Sequence, residues 1–188
     1  VNVEHIASGS LLVTADAQNN TVVGSNAGDS FDGTNAERNT LFGYNAGTAI
    51  TNGDRNTGVG LGALQTNTQG GYNVGIGDSA LYANTTASSN TAIGNSALFA
   101  NSTGAQNTAV GRDALDANTT AGNNTAIGYA ALTANTTGTA NTAVGKSALA
   151  AITTASYNTG VGYIALIDNT SGTRNTALGH SALAANTT

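Results

Sequence analysis

Short stretches of alternating polar and apolar residues recur along this chain, and each of them ends in glycine. The segment Thr-Ala-Ile-Gly at 91–94 is one example, and Thr-Ala-Val-Gly at 142–145 is another. Period-two alternation with β-branched residues is typical of a short β-strand. The recurring Gly and Asn-Thr steps also oppose a helix, because these residues are poor helix formers. The pattern therefore predicts an all-β protein.

These stretches belong to a repeat of fixed period. The run Asn-Thr-x-(large apolar)-Gly-x-x-Ala occurs ten times, with Val74 replacing one threonine. Successive copies begin seventeen positions apart, except that the first two are separated by nineteen. Such regularity is the signature of a repeat architecture, so we predict that residues 20–188 form a parallel β-roll (β-solenoid) of about ten coils. Position one of each coil is Asn20, Asn39, Asn56, Asn73, Asn90, Asn107, Asn124, Asn141, Asn158 or Asn175.

Within each coil we predict two short strands, at positions two to four and eight to ten. Alternate strand residues face opposite sides, so Ala109 and Val110 point in opposite directions. We expect the large residue at position four to fill the coil, together with leucine at position nine. That arrangement leaves the threonine of position two on the buried side and the alanine of position three outside.

The interior of one such coil is thin, and it predicts association between chains. A Val and a Leu per coil bury little apolar surface against the entropy of ordering the whole coil. An alanine face would need a flat partner, which copies of the chain around a common axis provide. We therefore expect an obligate homotrimer. Residues 1–19 precede the repeat, and we expect them to cap the first coil or to complement the last coil of another molecule head to tail.

Composition narrows the classes of function. Only 8% of residues are charged, the net charge is −5, and cysteine is absent. The five cationic residues are scattered singly, which disfavours nucleic acid as a partner. No apolar run is long enough to insert into a membrane as a helix. These cations are Arg38, Arg55, Arg112, Lys146 and Arg174.

The core of the unit, Asn-Thr-Ala-Val-Gly-x-x-Ala-Leu, resembles the β-roll head repeats of YadA-like trimeric autotransporter adhesins. It is also similar to repeat segments of bacteriophage tail fibres. The resemblance covers residues 20–188 and implies a trimeric roll that acts as a shaft or binds a cell-surface receptor. It implies a location outside the cell, at a cell surface or on a virion tail. The adhesin unit is shorter than the present one, and stalk, anchor and chaperone segments are lacking here, so adhesin and tail fibre both stay open.

Five tyrosines are candidates for contacting a cell-surface glycan. Three stand at position six, where we expect a turn, and two at the variable last position of the coil. An exposed aromatic ring offers a stacking face to a sugar, and neighbouring Asn and Thr offer hydrogen bonds. The same rings could instead pack against a neighbouring chain. The candidates are Tyr44, Tyr129, Tyr163, Tyr72 and Tyr157.

Catalytic and metal chemistry have little support. His5 and His180 lie near opposite ends of the chain, and we interpret Asp113 and Asp116 as solvated turn residues, so we expect no enzyme and no cofactor. A weak Ca²⁺ candidate is the acidic loop of the first unit, but its spacing matches no EF-hand. We favour a charged cap loop there. The acidic residues of this loop are Asp29, Asp32 and Glu37.

Two further functions stay open besides the fibre segment. One is a self-assembling filament in which residues 1–19 join successive molecules. The other is ice binding, because the threonines of position two form a regularly spaced hydroxyl row. Such a row must be exposed, and the predicted orientation buries it, which argues against ice binding.

Overall fold

The computed structural model describes residues 17–31, 33 and 35–188, and this part of the chain contains ten three-residue strands and no helix. The predicted capping segment 1–19 therefore lies outside the described residues except for its last three. All ten strands pair in parallel in a single sheet, in chain order. The strands are β1 (Thr21–Val23), β2 (Thr40–Phe42), β3 (Thr57–Val59), β4 (Val74–Ile76), β5 (Thr91–Ile93), β6 (Thr108–Val110), β7 (Thr125–Ile127), β8 (Thr142–Val144), β9 (Thr159–Val161) and β10 (Thr176–Leu178).

Every strand pairs with its neighbour at equivalent positions of the repeat. Thr108 lies opposite Thr125, and Val110 lies opposite Ile127. The same register holds across the two-residue insertion of the first unit, where Thr21 lies opposite Thr40. The predicted parallel β-solenoid is thus confirmed, with one coil for each unit of the repeat.

The predicted orientation of the strands is wrong. Position three points into the coil, where Ala92 and Ala109 are fully buried. Position four points outward, and Ile93 and Ile127 are 38% and 40% exposed. Positions three and four do face opposite sides, but the smaller residue is the one that lies inside.

The narrowness of the coil interior explains this orientation. Leucines of position nine and alanines of position eight already fill it, as Leu98 and Ala97 do. A side chain at position three contacts the leucine of the preceding coil, since a Cβ added to Gly75 would lie 3.3 Å from Leu64 Cγ. Only Ala or Gly fits beside these leucines. A branched residue at position three would overpack the interior.

The second coil shows that the interior volume is what matters. Its position three is the large Leu41, which is fully buried, and its position nine is Gly47 instead of leucine. A Cβ on Gly47 would lie only 2.7 Å from Leu41 Cδ1. The large side chain thus comes from position three instead of position nine, and Gly47 leaves the space that it fills.

The predicted second strand does not form. Positions six to eleven instead make consecutive turns, in which positions seven and nine take positive φ, as at Ser96 (56°) and Leu98 (52°). A strand requires extended backbone, and two left-handed residues so close together exclude it. Hydrogen bonds between coils persist without a strand, because the Leu98 N–H donates to the Ala114 carbonyl at 3.0 Å.

A glycine at position five ends each strand and brings the coils close together. At Gly111 φ is +131°, a conformation that residues with a side chain rarely adopt. An added Cβ would also lie 2.6 Å from the carbonyl oxygen of Gly128 in the next coil. Backbone conformation and close approach therefore both require glycine here.

Buried asparagines at position one link each coil to its neighbours. Asn107 donates from its backbone N–H to Asn90 Oδ1 at 2.9 Å and from Nδ2 to the Ala121 carbonyl at 2.8 Å. Its own Oδ1 accepts the N–H of Asn124 at 3.0 Å. Each side chain thus closes its own coil and also joins it to the next one.

A second asparagine ladder runs along position twelve. Asn118 Nδ2 donates to Asn101 Oδ1 at 2.8 Å and to the Ala121 carbonyl at 3.0 Å. The ladder stops where Ile152 replaces asparagine, and there Asn135 Oδ1 is buried without a hydrogen-bond partner. The buried Ile152 replaces the polar link with apolar packing, as Ile50 does in the second coil, so the stack tolerates coils without this asparagine.

Candidate functional site: the outward face and its tyrosines

The outward face of the solenoid consists of positions two and four of the ten strands. Threonines such as Thr91 and Thr125 are half-buried there and stand beside exposed apolar residues such as Ile93 and Ile127. Threonine and the large residue share one side, as expected, but that side faces away from the core. The threonine row is therefore not buried inside the coil, and the argument made above against ice binding no longer holds.

All five candidate tyrosines lie on the surface, with 44–58% of each residue exposed. Tyr44, Tyr129 and Tyr163 stand at position six, directly after the glycine that ends the strand. Tyr72 and Tyr157 stand at the last position of their coils, just before the asparagine that precedes the next strand. The tyrosines therefore border the outward face on its two sides.

Cationic side chains lie over most of these rings. Lys146 Nζ is 5.8 Å from the ring centroids of both Tyr129 and Tyr163. On the other border of the outward face, the Arg55 guanidinium lies 5.1 Å from the Tyr72 ring, and Arg174 is similarly placed over Tyr157. In each case the cation and the ring belong to neighbouring coils, and cation–π attraction stabilises their contact. Ring faces expected to be open to sugars are thus partly covered.

One aromatic pair was missed in the sequence. Tyr82 and Phe99 stack with ring centroids 5.2 Å apart, and Phe99 is 40% exposed. Both occupy position ten, one coil apart, so their separation by one full period of the repeat was the signal that could have revealed them.

The acidic candidates do not form a site. Asp29 is exposed, Glu37 pairs with Arg38 at 3.2 Å, and Asp32 lies outside the described residues. Among residues 17–31, 33 and 35–188, no group of three His, Cys, Asp or Glu side chains is placed to hold a metal ion.

The carboxylates and histidines considered for catalysis are also kept apart. Asp113 pairs with Arg112 at 3.1 Å, while Asp116 accepts a hydrogen bond from Thr133 at 2.8 Å. His180 stacks on Tyr163, and His5 lies outside the described residues. Asp113, Asp116 and His180 thus each contact a different surface residue.

Comparisons of this chain with protein-family models, curated proteins and solved structures found no match. Within the described part of the chain, no helix has the length and apolar character needed to cross a membrane.

Proposed function

We propose that this chain is a structural or adhesive fibre segment, a shaft or receptor-facing part that works as a homotrimer outside the cell. The observation that supports this most is the apolar row at position four of the outward face. It continues through all ten strands of the sheet, and no other strand of the described residues packs over it. Its most exposed members are Phe42 (54%), Ile76 (37%), Ile93 (38%), Ile127 (40%) and Leu178 (78%).

The shape of this row suits association with copies of itself. Contiguous exposed apolar surface on a soluble protein commonly marks an interaction site. Parallel chains around an axis would bring equivalent positions of each copy to the same height, so one repeat serves every coil. In that arrangement the position-six and last-position tyrosines border the interface and can face a glycan on a cell surface. Such a segment fits a bacterial adhesin or a phage tail fibre.

Replacing two residues of the apolar row with lysine is expected to separate the trimer. The variant Ile93→Lys/Ile127→Lys places charges on the surface that we propose is buried between chains, where an unpaired charge is strongly unfavourable. Light scattering coupled to gel filtration should give three times the 18.4 kDa chain mass for the original protein and one chain mass for the variant. Thr86→Lys/Thr137→Lys, at exposed positions of the turns, is the matched control and should stay trimeric. A folded original protein with the mass of one chain would contradict the proposal.

Ice binding is a second candidate, because the threonine row of position two lies on the outward face. Regular hydroxyl and methyl groups on a flat sheet are what an ice-binding surface requires. If the trimer covers this face, the original protein should show no thermal hysteresis. Thermal hysteresis in a protein of one chain mass, lost in Thr108→Leu/Thr125→Leu, would instead establish ice binding and overturn the fibre proposal.

A further inference from the structure

Five consecutive coils carry a row of cationic and aromatic side chains at position six. This cation–aromatic row consists of Arg112, Tyr129, Lys146, Tyr163 and His180, all of them exposed. In earlier coils the same position holds Asp78 and Asn95, so the row begins at the sixth coil. Its members follow one another at the spacing of parallel strands, about 4.8 Å per coil.

Contacts within the row fix the cations above the turns. Arg112 lies 5.8 Å from the Tyr129 ring centroid, and Lys146 lies between Tyr129 and Tyr163 at 5.8 Å from each. The ring of His180 stacks on Tyr163 at 5.1 Å. Long cationic side chains normally lose much rotamer entropy on binding a ligand. Lys146, held between two aromatic rings, has already lost part of it, which favours binding.

The charge of the row is opposite to that of the whole chain. The protein carries a net charge of −5, which repels polyanions in general. Arg112 and Lys146 give this row two positive charges, two coils apart, and Asp113 compensates only the arginine, through a contact at 3.1 Å. A polyanion that binds this chain would therefore be attracted to the cation–aromatic row.

The rings of the row offer their edges and hydroxyls, because the cations lie over their faces. That arrangement is poor for a neutral sugar, which stacks on an open ring face. It suits a sugar polymer that carries carboxylates, since ammonium and guanidinium groups pair with carboxylates and phenol hydroxyls bond to sugar hydroxyls. An extended polysaccharide also advances by about the height of one coil per sugar.

We propose that the cation–aromatic row binds a linear acidic polysaccharide of the uronic-acid type, extended parallel to the axis of the solenoid. Lys146 and Arg112 pair with carboxylates two sugars apart, and the hydroxyls of Tyr129 and Tyr163 bond to the sugars between and beside them. This inference rests on the proposed function, of which it specifies the glycan.

The test is binding of the full chain to oligogalacturonate of eight sugars, measured by calorimetry at low salt. We expect binding that weakens as salt is added, and none to an uncharged galactan of the same length. Arg112→Gln/Lys146→Gln should weaken binding at least tenfold, and Tyr129→Phe/Tyr163→Phe several-fold, since only the hydroxyls are removed. Arg38→Gln and Tyr82→Phe carry the same changes outside the row and should bind like the original protein. Circular dichroism checks that every variant remains folded.

Three results would overturn the inference. The first is absence of oligogalacturonate binding by the folded protein at low salt. The second is unchanged binding in Arg112→Gln/Lys146→Gln. The third is equally tight binding of poly-glutamate that Tyr129→Phe/Tyr163→Phe does not affect, which would show that charge alone is recognised. The trimer is tested separately by its mass, so a trimer that binds no acidic polysaccharide refutes this inference and leaves the fibre proposal standing.

Discussion

Gly111→Ala is expected to destabilise the solenoid strongly. The new Cβ would meet the Gly128 carbonyl oxygen at 2.6 Å, and φ of +131° is itself strained for alanine. Strain of this kind costs about 1–3 kcal/mol, and the clash between stacked backbones adds to it. Urea denaturation followed by circular dichroism should show a loss of more than about 3 kcal/mol, or no folded protein.

Gly179→Ala provides the matched control. Gly179 has nearly the same φ, +125°, but a Cβ there would meet no atom within 4 Å. This variant therefore bears the conformational strain without the clash, and it should lose distinctly less stability than Gly111→Ala. Equal losses would mean that close approach of the coils does not determine the glycine at position five.

Asn107→Ala is expected to have the second largest effect. The substitution removes both hydrogen bonds of the side chain and leaves the Asn124 N–H buried without its partner. The Ala121 carbonyl keeps only the bond from Asn118. An unsatisfied buried group costs about 1–3 kcal/mol and the second lost bond about 1 kcal/mol, so the free energy of unfolding should fall by roughly 2–4 kcal/mol. The same denaturation experiment measures it.

The comparison for this variant is Asn95→Ala. Asn95 is exposed, and its side-chain hydrogen bond to the Asp78 carbonyl is long, at 3.4 Å. Its loss should change stability by less than about 0.5 kcal/mol, as is usual for surface substitutions. If Asn107→Ala were as mild, the asparagine ladder would contribute little to the stacking of coils.

The period of the repeat was sufficient to predict the parallel solenoid and its register. Residues that recur at a fixed period can form the same backbone hydrogen bonds in every coil only if each coil lies on the previous one in register. The pairing of Thr108 with Thr125 follows directly from this. The register needed no knowledge of packing, because it depends on sequence identity alone.

The direction in which the strands face could not be predicted from residue type. Position three holds Ala or Gly in most coils, and position four holds Val or Ile, so hydrophobicity favours burying the larger residue. The interior volume decides otherwise, since the leucines of position nine leave room for little more than Ala92 or Ala109. The first two coils hinted at this, because each pairs a large residue at position three with glycine at position nine: Val22 with Gly28, and Leu41 with Gly47.

The turn that places the position-nine leucine in the core could not be predicted from residue type either. Leucine rarely adopts positive φ, so Leu98 at 52° contradicts its local preference. Burial of the side chain and hydrogen bonds to the adjacent coils outweigh that strain. Positions eight to ten therefore resembled a strand in sequence but form a turn in the structure.

The surface was easier to predict than its contacts. The variability of position six indicated a turn, and Tyr129 and Tyr163 are indeed exposed there. That Lys146 would lie between their rings follows only once the coils are stacked in register, since each of the three residues belongs to a different coil. The cations, scattered singly along the sequence, come together with the rings through stacking.

The central claim is that position three lies inside each coil and position four outside. Because the chain has no cysteine, single thiols can report on it directly. Leu41→Cys at position three and Phe42→Cys at position four would each be introduced into the Ile93→Lys/Ile127→Lys variant, so that contacts between chains do not shield the outward face. Leu41 is fully buried and Phe42 is 54% exposed, so the structure predicts that a maleimide labels the thiol at position 42 readily and the thiol at position 41 only when the protein unfolds. Rapid labelling at 41 with protection at 42 would contradict the account.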